Sequence, residues 1–254
     1  LSGTSGQLAT SLAKAGSGTW TLSGTSTYTG ATAVNAGILT INGNQSAATG
    51  AVTVASAATL KGTGTIGGAT TIQTGGMMNA GAHSDNSPTA TAPVGKQTFS
   101  SDLTLNSQSI FSWDLSGEKD TSNGTRGTDY DAVDVGGNLS AFTTGATPAP
   151  TSDAIFRVIV SSAFDFTTAF WADTHTWSDI FTVTGSTTGW ATGTAVDVNT
   201  YNFATNTYST ANPTAQGAFT ISGSTLTWSA VPEPSSALVG LLVGAGLLRR
   251  RRQY

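Results

Sequence analysis

"GATAVNAGIL" (residues 30–39), "GAVTVASAATL" (50–60) and "GATTIQTGGMM" (68–78) share one frame. Each opens on Gly-Ala, sets Val34, Val54 or Ile72 four residues after the glycine, and closes on Leu39, Leu60 or Met78. The opening glycines Gly30, Gly50 and Gly68 set a period of about 20 residues, within the range of solenoid repeats. No single segment carries enough apolar residues for a core of its own. Stacked, the segments set Val or Ile over Val or Ile and Leu over Leu or Met, which is how a solenoid builds its core. Alternation in "TWTL" (19–22), "VTV" (52–54), "LTL" (103–105), "VDV" (133–135) and "LTW" (226–228) marks short strands with one face inward. Gly37, Gly43, Gly62, Gly64, Gly67, Gly75 and Gly76 supply corners between strands.

These features predict an all-β, right-handed parallel β-helix over residues 16–140. A linker follows at 141–153, where Pro148 and Pro150 stand. A less regular β-rich part at 154–230 closes the solenoid with further coils or a cap, and 231–254 is a separate tail. A β-sandwich also shows short strands and glycine turns, but the repeat spacing favours the β-helix. The aromatic stretch "AFDFTTAFWADTHTW" (163–177) is expected to cap the solenoid's open end, since an uncovered coil is an unpaired edge.

Charged residues make up 9% of the chain and Gly numbers 31, yet recurrent Val, Ile and Thr favour ordered strands over disorder. Setting aside Arg249–Arg252, six basic residues face fourteen acidic ones, so residues 1–248 carry a net −8. Such a body is unsuited to nucleic acid, whose phosphates attract clustered Lys and Arg. With no cysteine, disulfides, thiol catalysis and Cys-ligated metal are excluded.

The tail reads "VPEPSSALVGLLVGAGLLRRRRQY" (231–254). Pro232 and Pro234 enforce an extended joint. Ala237–Leu248 is wholly apolar or glycine, and as a helix would be about 18 Å long. That is a marginal span of a bilayer core about 30 Å thick. Arg249, Arg250, Arg251 and Arg252 would remain in the cytoplasm, placing the body across the membrane. Val231, Pro232, Glu233 and Pro234, the short apolar run and the arginine cluster together resemble the PEP-CTERM sorting signal of Gram-negative bacteria. That resemblance implies a short C-terminal transmembrane helix, transient residence in the inner membrane, and recognition and cleavage by an exosortase. Leu1 is preceded by no signal peptide in this sequence, and export needs one, so the chain is expected to be a fragment.

Residues 16–44, "GSGTWTLSGTSTYTGATAVNAGILTINGN", resemble the autotransporter-associated β-strand repeat of large secreted bacterial β-helices. "NSP" (86–88), "DLTLNSQSIFSWDLSG" (102–117) and "DYDAVDVGGNLS" (129–140) resemble later coils of such proteins. No β-barrel translocator follows here, so export by the autotransporter route is not implied.

Several constellations bear on chemistry. Asp129, Asp131 and Asp134, with Asp120 nearby, offer a Ca²⁺ or acid–base reading. They lack the glycine turn and terminal Glu of an EF-hand loop, so solvated strand-edge carboxylates are expected, with Asp129 and Asp131 on one face. His83 and His175 stand in no recognisable motif and are expected on loops or the surface. Gly62–Gly67 fits G-x-G-x-x-G literally but precedes a strand, not a helix. Trp20, Trp113, Trp171, Trp177, Trp190 and Trp228 suit packing better than sugar stacking. Trp171 and Trp177 are the candidate carbohydrate contacts should any pair be exposed. Thr-x-Thr at 19/21, 25/27 and 63/65 does not recur at one coil position, which argues against an ice-binding ladder.

The expectation is a non-enzymatic, exported structural or adhesive protein of the cell surface or extracellular matrix. No cofactor and no metal are called for, its partners being exosortase and exopolysaccharide. A polysaccharide-active β-helix enzyme or a carbohydrate-binding module is the alternative. The scattered Lys14, Lys61, Lys96, Lys119, Arg126 and Arg157 argue against an enzymatic groove.

Overall fold

The computed structural model describes residues 9–81, 94–141, 154–161, 165–190, 194–202, 207–210 and 216–231. Three parallel sheets run side by side along it, and the inner coils each add one strand to each. The first sheet stacks Leu12–Lys14, Thr32–Val34, Val52–Val54, Thr70–Ile72, Leu103–Leu105, Leu139–Ala141 and Thr187–Gly189. The second stacks Thr19–Leu22, Gly37–Ile41, Ala58–Gly62, Met77–Ala80, Ile110–Leu115, Ile155–Ser161 and Asp197–Asn202, with Thr207–Thr210 added antiparallel at its end. The third stacks Asn44–Gln45, Thr65–Ile66, Lys96–Phe99, Ala132–Val135 and Phe181–Val183. The architecture is an all-β parallel solenoid, as the repeat predicts. Among the described residues, Ala169–Ala172 is a single 3-10 turn and no helix is long and apolar enough to cross a membrane. The expected transmembrane helix, the "NSP" segment and most of the expected linker lie outside the described residues.

The core is a set of columns along the solenoid axis. Val34, Val54, Ile72, Leu105 and Ala141 are successive register partners, and so are Leu39, Leu60, Met78, Phe111 and Phe156. All ten are buried. The frame shared by the three quoted segments is therefore a stacking frame: equal positions superpose because strands in a parallel sheet lie about 4.8 Å apart.

The corner glycines follow from the same spacing. A Cβ on Gly50 would stand 1.9 Å from Gly30 O, and one on Gly68 would stand 1.8 Å from Gly50 O. Gly62, at φ +130°, would put a Cβ 2.1 Å from Ile41 O. The literal G-x-G-x-x-G is thus a tight corner between two strands.

Coil length is not constant. Thr32, Val52, Thr70, Leu103, Leu139 and Thr187 occupy equivalent positions of successive coils. The expected coil of about 20 residues holds only for the early turns. Later coils are longer. The stacked pair Gln73 and Asn106 is 33 residues apart, Asp102 and Asn138 are 36 residues apart, and Asn138 and Ser186 are 48 residues apart. Most of the extra chain, at 81–95, 116–131 and 162–180, falls between second-sheet and third-sheet strands, and a further stretch, 142–154, falls between the first-sheet strand Leu139–Ala141 and the second-sheet strand Ile155–Ser161. As the coils lengthen the core side chains grow, from Val and Leu to Phe111, Trp113, Phe156 and Trp190. Phe111 and Phe156 meet edge-on at 5.2 Å, and Phe156 meets Trp190 at 5.5 Å.

At the far end, His175–Trp177, Thr225–Ala230, Gly217–Ser222 and Thr194–Ala195 form an antiparallel sheet. Trp171, Trp177, Phe219 and Trp228 pack together beneath it, and Trp177 meets Trp113 of the solenoid core at 5.6 Å. At the near end Lys14 occupies the column headed by Val34. Its ammonium donates to the carbonyls of Ala15, Gly16 and Ala36 at 3.1, 2.6 and 2.9 Å and lies 5.7 Å from the Trp20 ring. An inward-pointing charge on a first strand is one way proteins keep sheet edges from adding foreign strands.

Gly68→Ala is expected to destabilise the fold by more than about 2 kcal/mol in urea unfolding. Gly18→Ala, where a Cβ meets nothing within 4 Å, is expected to be near neutral. Leu60→Ala, in the middle of a core column, is expected to cost about 2–5 kcal/mol.

Candidate functional site

Two regions stand out: the outer face of the first sheet and the corner that carries the insertions. On the first, the middle residue of each three-residue strand points outward. Thr53, Thr71, Thr104, Ser140 and Thr188 are consecutive register partners, forming a single file of hydroxyls about 4.8 Å apart. Thr188 donates to Ser140 Oγ at 3.3 Å. Amide and hydroxyl groups flank the file. Asn106 donates to Gln73 Oε1 at 3.0 Å, Asn138 donates its backbone N–H to Asp102 Oδ1 at 2.7 Å, and Ser186 donates to Asn138 Oδ1 at 2.9 Å. Asp102 is the one charge among these residues. The Thr-x-Thr pairs of the sequence do not reveal this file, because the recurring unit is one threonine between two buried residues. The signal that finds it is the central Thr of "VTV", "TTI" and "LTL".

The insertion corner is polar and extensively cross-bonded. The acidic stretch 129–134 does not form the expected solvated strand edge, because the strand begins only at Ala132 and each carboxylate has a separate task. Asp129 accepts from Thr125 N–H at 2.8 Å and closes a turn. Asp134 pairs with Arg126 and Lys96, both at 2.8 Å. Asp131 is fully buried, accepting from Gly95 N–H at 2.8 Å and Asp114 N–H at 3.1 Å, and its own carbonyl accepts from Trp113 Nε1 at 2.9 Å. It ties the first two insertions to the second sheet. Among the described residues no group of three or more His, Cys, Asp or Glu is placed to hold a metal.

Asp114 is the partner that sequence reading overlooked. It is buried, accepts from Asn79 Nδ2 at 3.1 Å, and lies within electrostatic reach of Lys61. Burial raises its pKa to about 7, against the lowering effects of the Asn79 hydrogen bond and the Lys61 charge. Asp131 is also pushed well above the ordinary carboxylate range, by burial first and then by the Asp114 charge.

His175 is not the expected surface histidine. It is largely buried, stacked on Phe170 with ring centroids 3.6 Å apart, with Nδ1 2.7 Å from Asp120 Oδ2 and Nε2 against the Phe170 carbonyl. Asp120 also accepts from Ser122 Oγ at 2.5 Å. The set is not a nucleophilic triad, since Nε2 is turned to a carbonyl and away from any hydroxyl. Although burial opposes it, the hydrogen bonds from Ser122 and His175 hold the Asp120 carboxyl below its usual range. Tyr130 donates to Asp179 Oδ1 at 2.9 Å, and burial, with that carboxylate, pushes its hydroxyl up to about 12. His83 lies outside the described residues.

The candidacy of Trp171 and Trp177 as carbohydrate contacts is corrected: both are buried in the aromatic cluster, where a sugar ring has no access. Each large ring buries more apolar area there than at the surface, and Trp177 Nε1 is satisfied by the Lys119 carbonyl at 2.7 Å. The exposed tryptophan is Trp20, at 46%, because it heads its core column with one neighbouring strand only. Val231 is described and exposed, whereas Pro232, Glu233, Pro234 and Arg249–Arg252 lie outside the described residues.

This geometry defines a class, a parallel β-solenoid with a neutral hydroxyl face and its three longest insertions on one corner. The passenger-associated transport repeat family matches residues 12–41, which span the first strand pair and the beginning of the quoted frame. The match supports the autotransporter-associated repeat read from "GSGTWTLSGTSTYTGATAVNAGILTINGN". No curated protein matches the chain.

Because Asp114 and Asp131 have raised pKa values in the folded state, their protons favour folding at low pH; the Asp114 contribution is lost progressively as pH rises from about 4 to about 7, and the Asp131 contribution also declines with rising pH. Asp120 and Asp134, with lowered values, act oppositely and lose their contribution as pH falls below about 4. Urea unfolding across this range is expected to show greatest stability near pH 4 and a decline from there towards pH 7. The decline between about pH 4 and 7, a few kcal/mol in order of magnitude, should flatten in Asp114→Asn.

Proposed function

We propose that the chain is the solenoid body of an exported, non-enzymatic structural or adhesive protein of the cell surface or extracellular matrix. The observation that carries this reading is the continuous coil stack whose first turns match a passenger-associated repeat. A repeat of that family suits a protein carried out of the cytoplasm. Sorting is assigned to the PEP-CTERM-like tail, with Val231, Pro232, Glu233 and Pro234 as the segment an exosortase reads. Arg249–Arg252 keep the end of the chain on the cytoplasmic side during a transient stay in the inner membrane. The body then joins the surface or matrix alongside exopolysaccharide.

The hydroxyl file from Thr53 to Thr188, with its amide flanks, supports the association with exopolysaccharide. It offers repeated neutral donors and acceptors along one sheet, suited to neutral sugar hydroxyls, with little charge to attract ions or nucleic acid. A polysaccharide-active enzyme is the second reading. The corner favouring it carries Asp120, His175, Asp179 and Arg126, although these already bond one another.

The mature protein is expected to lose the residues after its Pro-Glu-Pro box and to appear outside the inner membrane in a host with exosortase. It should keep them in a host without it. An intact tail in both hosts removes the sorting reading. On affinity gels, Thr71→Glu with Thr104→Glu is expected to abolish retardation by neutral exopolysaccharide. Retardation unchanged by that pair removes the hydroxyl face from the account.

A further inference from the structure

We propose that Lys61 and Asn79 form an intramolecular amide bond that staples two consecutive coils covalently, with Asp114 as the proton carrier. Lys61 and Asn79 are direct register partners on neighbouring parallel strands, Ala58–Gly62 and Met77–Ala80, and so project from the same sheet face about 4.8 Å apart at the backbone. Both are only 6% exposed, and Asp114 on the next strand is fully buried. Lysine is rarely buried this far, and the Asp114 carboxyl within its electrostatic reach is placed to take a proton from its amine. Asp114 touches the atom that would leave, since Asn79 Nδ2 donates to its Oδ2 at 3.1 Å.

The step balances without an oxidant or an added reactant. Lys61 Nζ passes a proton to the Asp114 carboxylate, and the freed amine attacks Asn79 Cγ, forming the Nζ–Cγ bond. Asp114 returns the proton to Nδ2 as the Cγ–Nδ2 bond breaks, and ammonia departs, taking up the remaining proton as ammonium. A carboxyl titrating near neutral pH suits both halves of that transfer. A chain with no cysteine has no disulfide to hold its coils together, and this bond would take that place. It sits on the strand before the first corner insertion, where the coil lengthens to 33 residues. There a covalent tie would keep lengthened coils in register with the regular ones.

The test is the intact mass of the folded, purified chain, followed by proteolytic mapping. The wild-type protein is expected to be lighter than its sequence by one ammonia and to yield a branched peptide joining the Lys61 and Asn79 segments. Lys61→Arg, which keeps the charge but supplies no amine nucleophile, should restore the full sequence mass, as should Asp114→Asn. The full sequence mass in the folded wild-type protein overturns the proposal. So does loss of ammonia without a branched peptide, the signature of a succinimide at Asn79.

Discussion

The coil-to-coil distance is the constraint on which this structure depends. Parallel strands stacked about 4.8 Å apart force equal positions of successive coils into contact, so every column must be chemically self-compatible. Val34, Val54, Ile72 and Leu105 satisfy that by apolar contact, Thr53, Thr71 and Thr104 by solvated hydroxyls, and Gly30, Gly50 and Gly68 by having no Cβ where carbonyl oxygens approach. The same rule makes the columns cooperative, since a side chain that fits one coil must fit against the coils on both sides.

Insertions are tolerated where that rule is weakest. A corner has no ladder on its outside, so added chain there does not disturb the register of the three sheets. The three longest insertions exploit the corner between the second and third sheets, and once there they need bonds of their own. Asp131 supplies them by bridging Gly95 and Asp114, Arg126 by joining Asp134 to the Asp179 carbonyl, and His175 by joining Asp120 to the Phe170 turn. Repeat proteins commonly concentrate such insertions on one face, which is often the face that binds. In this chain the inserts bury much of their polar chemistry against one another. The open, regular surface is instead the hydroxyl file on the first sheet.

The ends of the solenoid are treated differently. The far end gains an antiparallel sheet and a cluster of large aromatic rings, so the widening core is closed by side chains with enough volume to fill it. The near end finishes in Lys14, whose ammonium satisfies three carbonyls, two in the first coil and that of Ala36 in the second. A buried charge of this kind costs desolvation and persists only when its hydrogen bonds are complete.

The amino-acid order by itself determined the solenoid class and the core columns. The frame Gly-Ala, Val or Ile, Leu or Met repeats at a spacing that only stacking makes useful, and Leu39, Leu60 and Met78 are partners as that frame requires. It also showed the acidic, cysteine-free composition that any functional account must respect. The tertiary structure alone decided where the polar residues meet. Asp114 and Asn79 are 35 positions apart in the chain, and His175 and Asp120 are 55 apart. Their meetings depend on how far each coil outgrows the starting repeat, and no local period encodes that. For the same reason Trp171 and Trp177 read as candidates for exposure in sequence and are buried in space. A tryptophan's surroundings are set by the coils that arrive beside it.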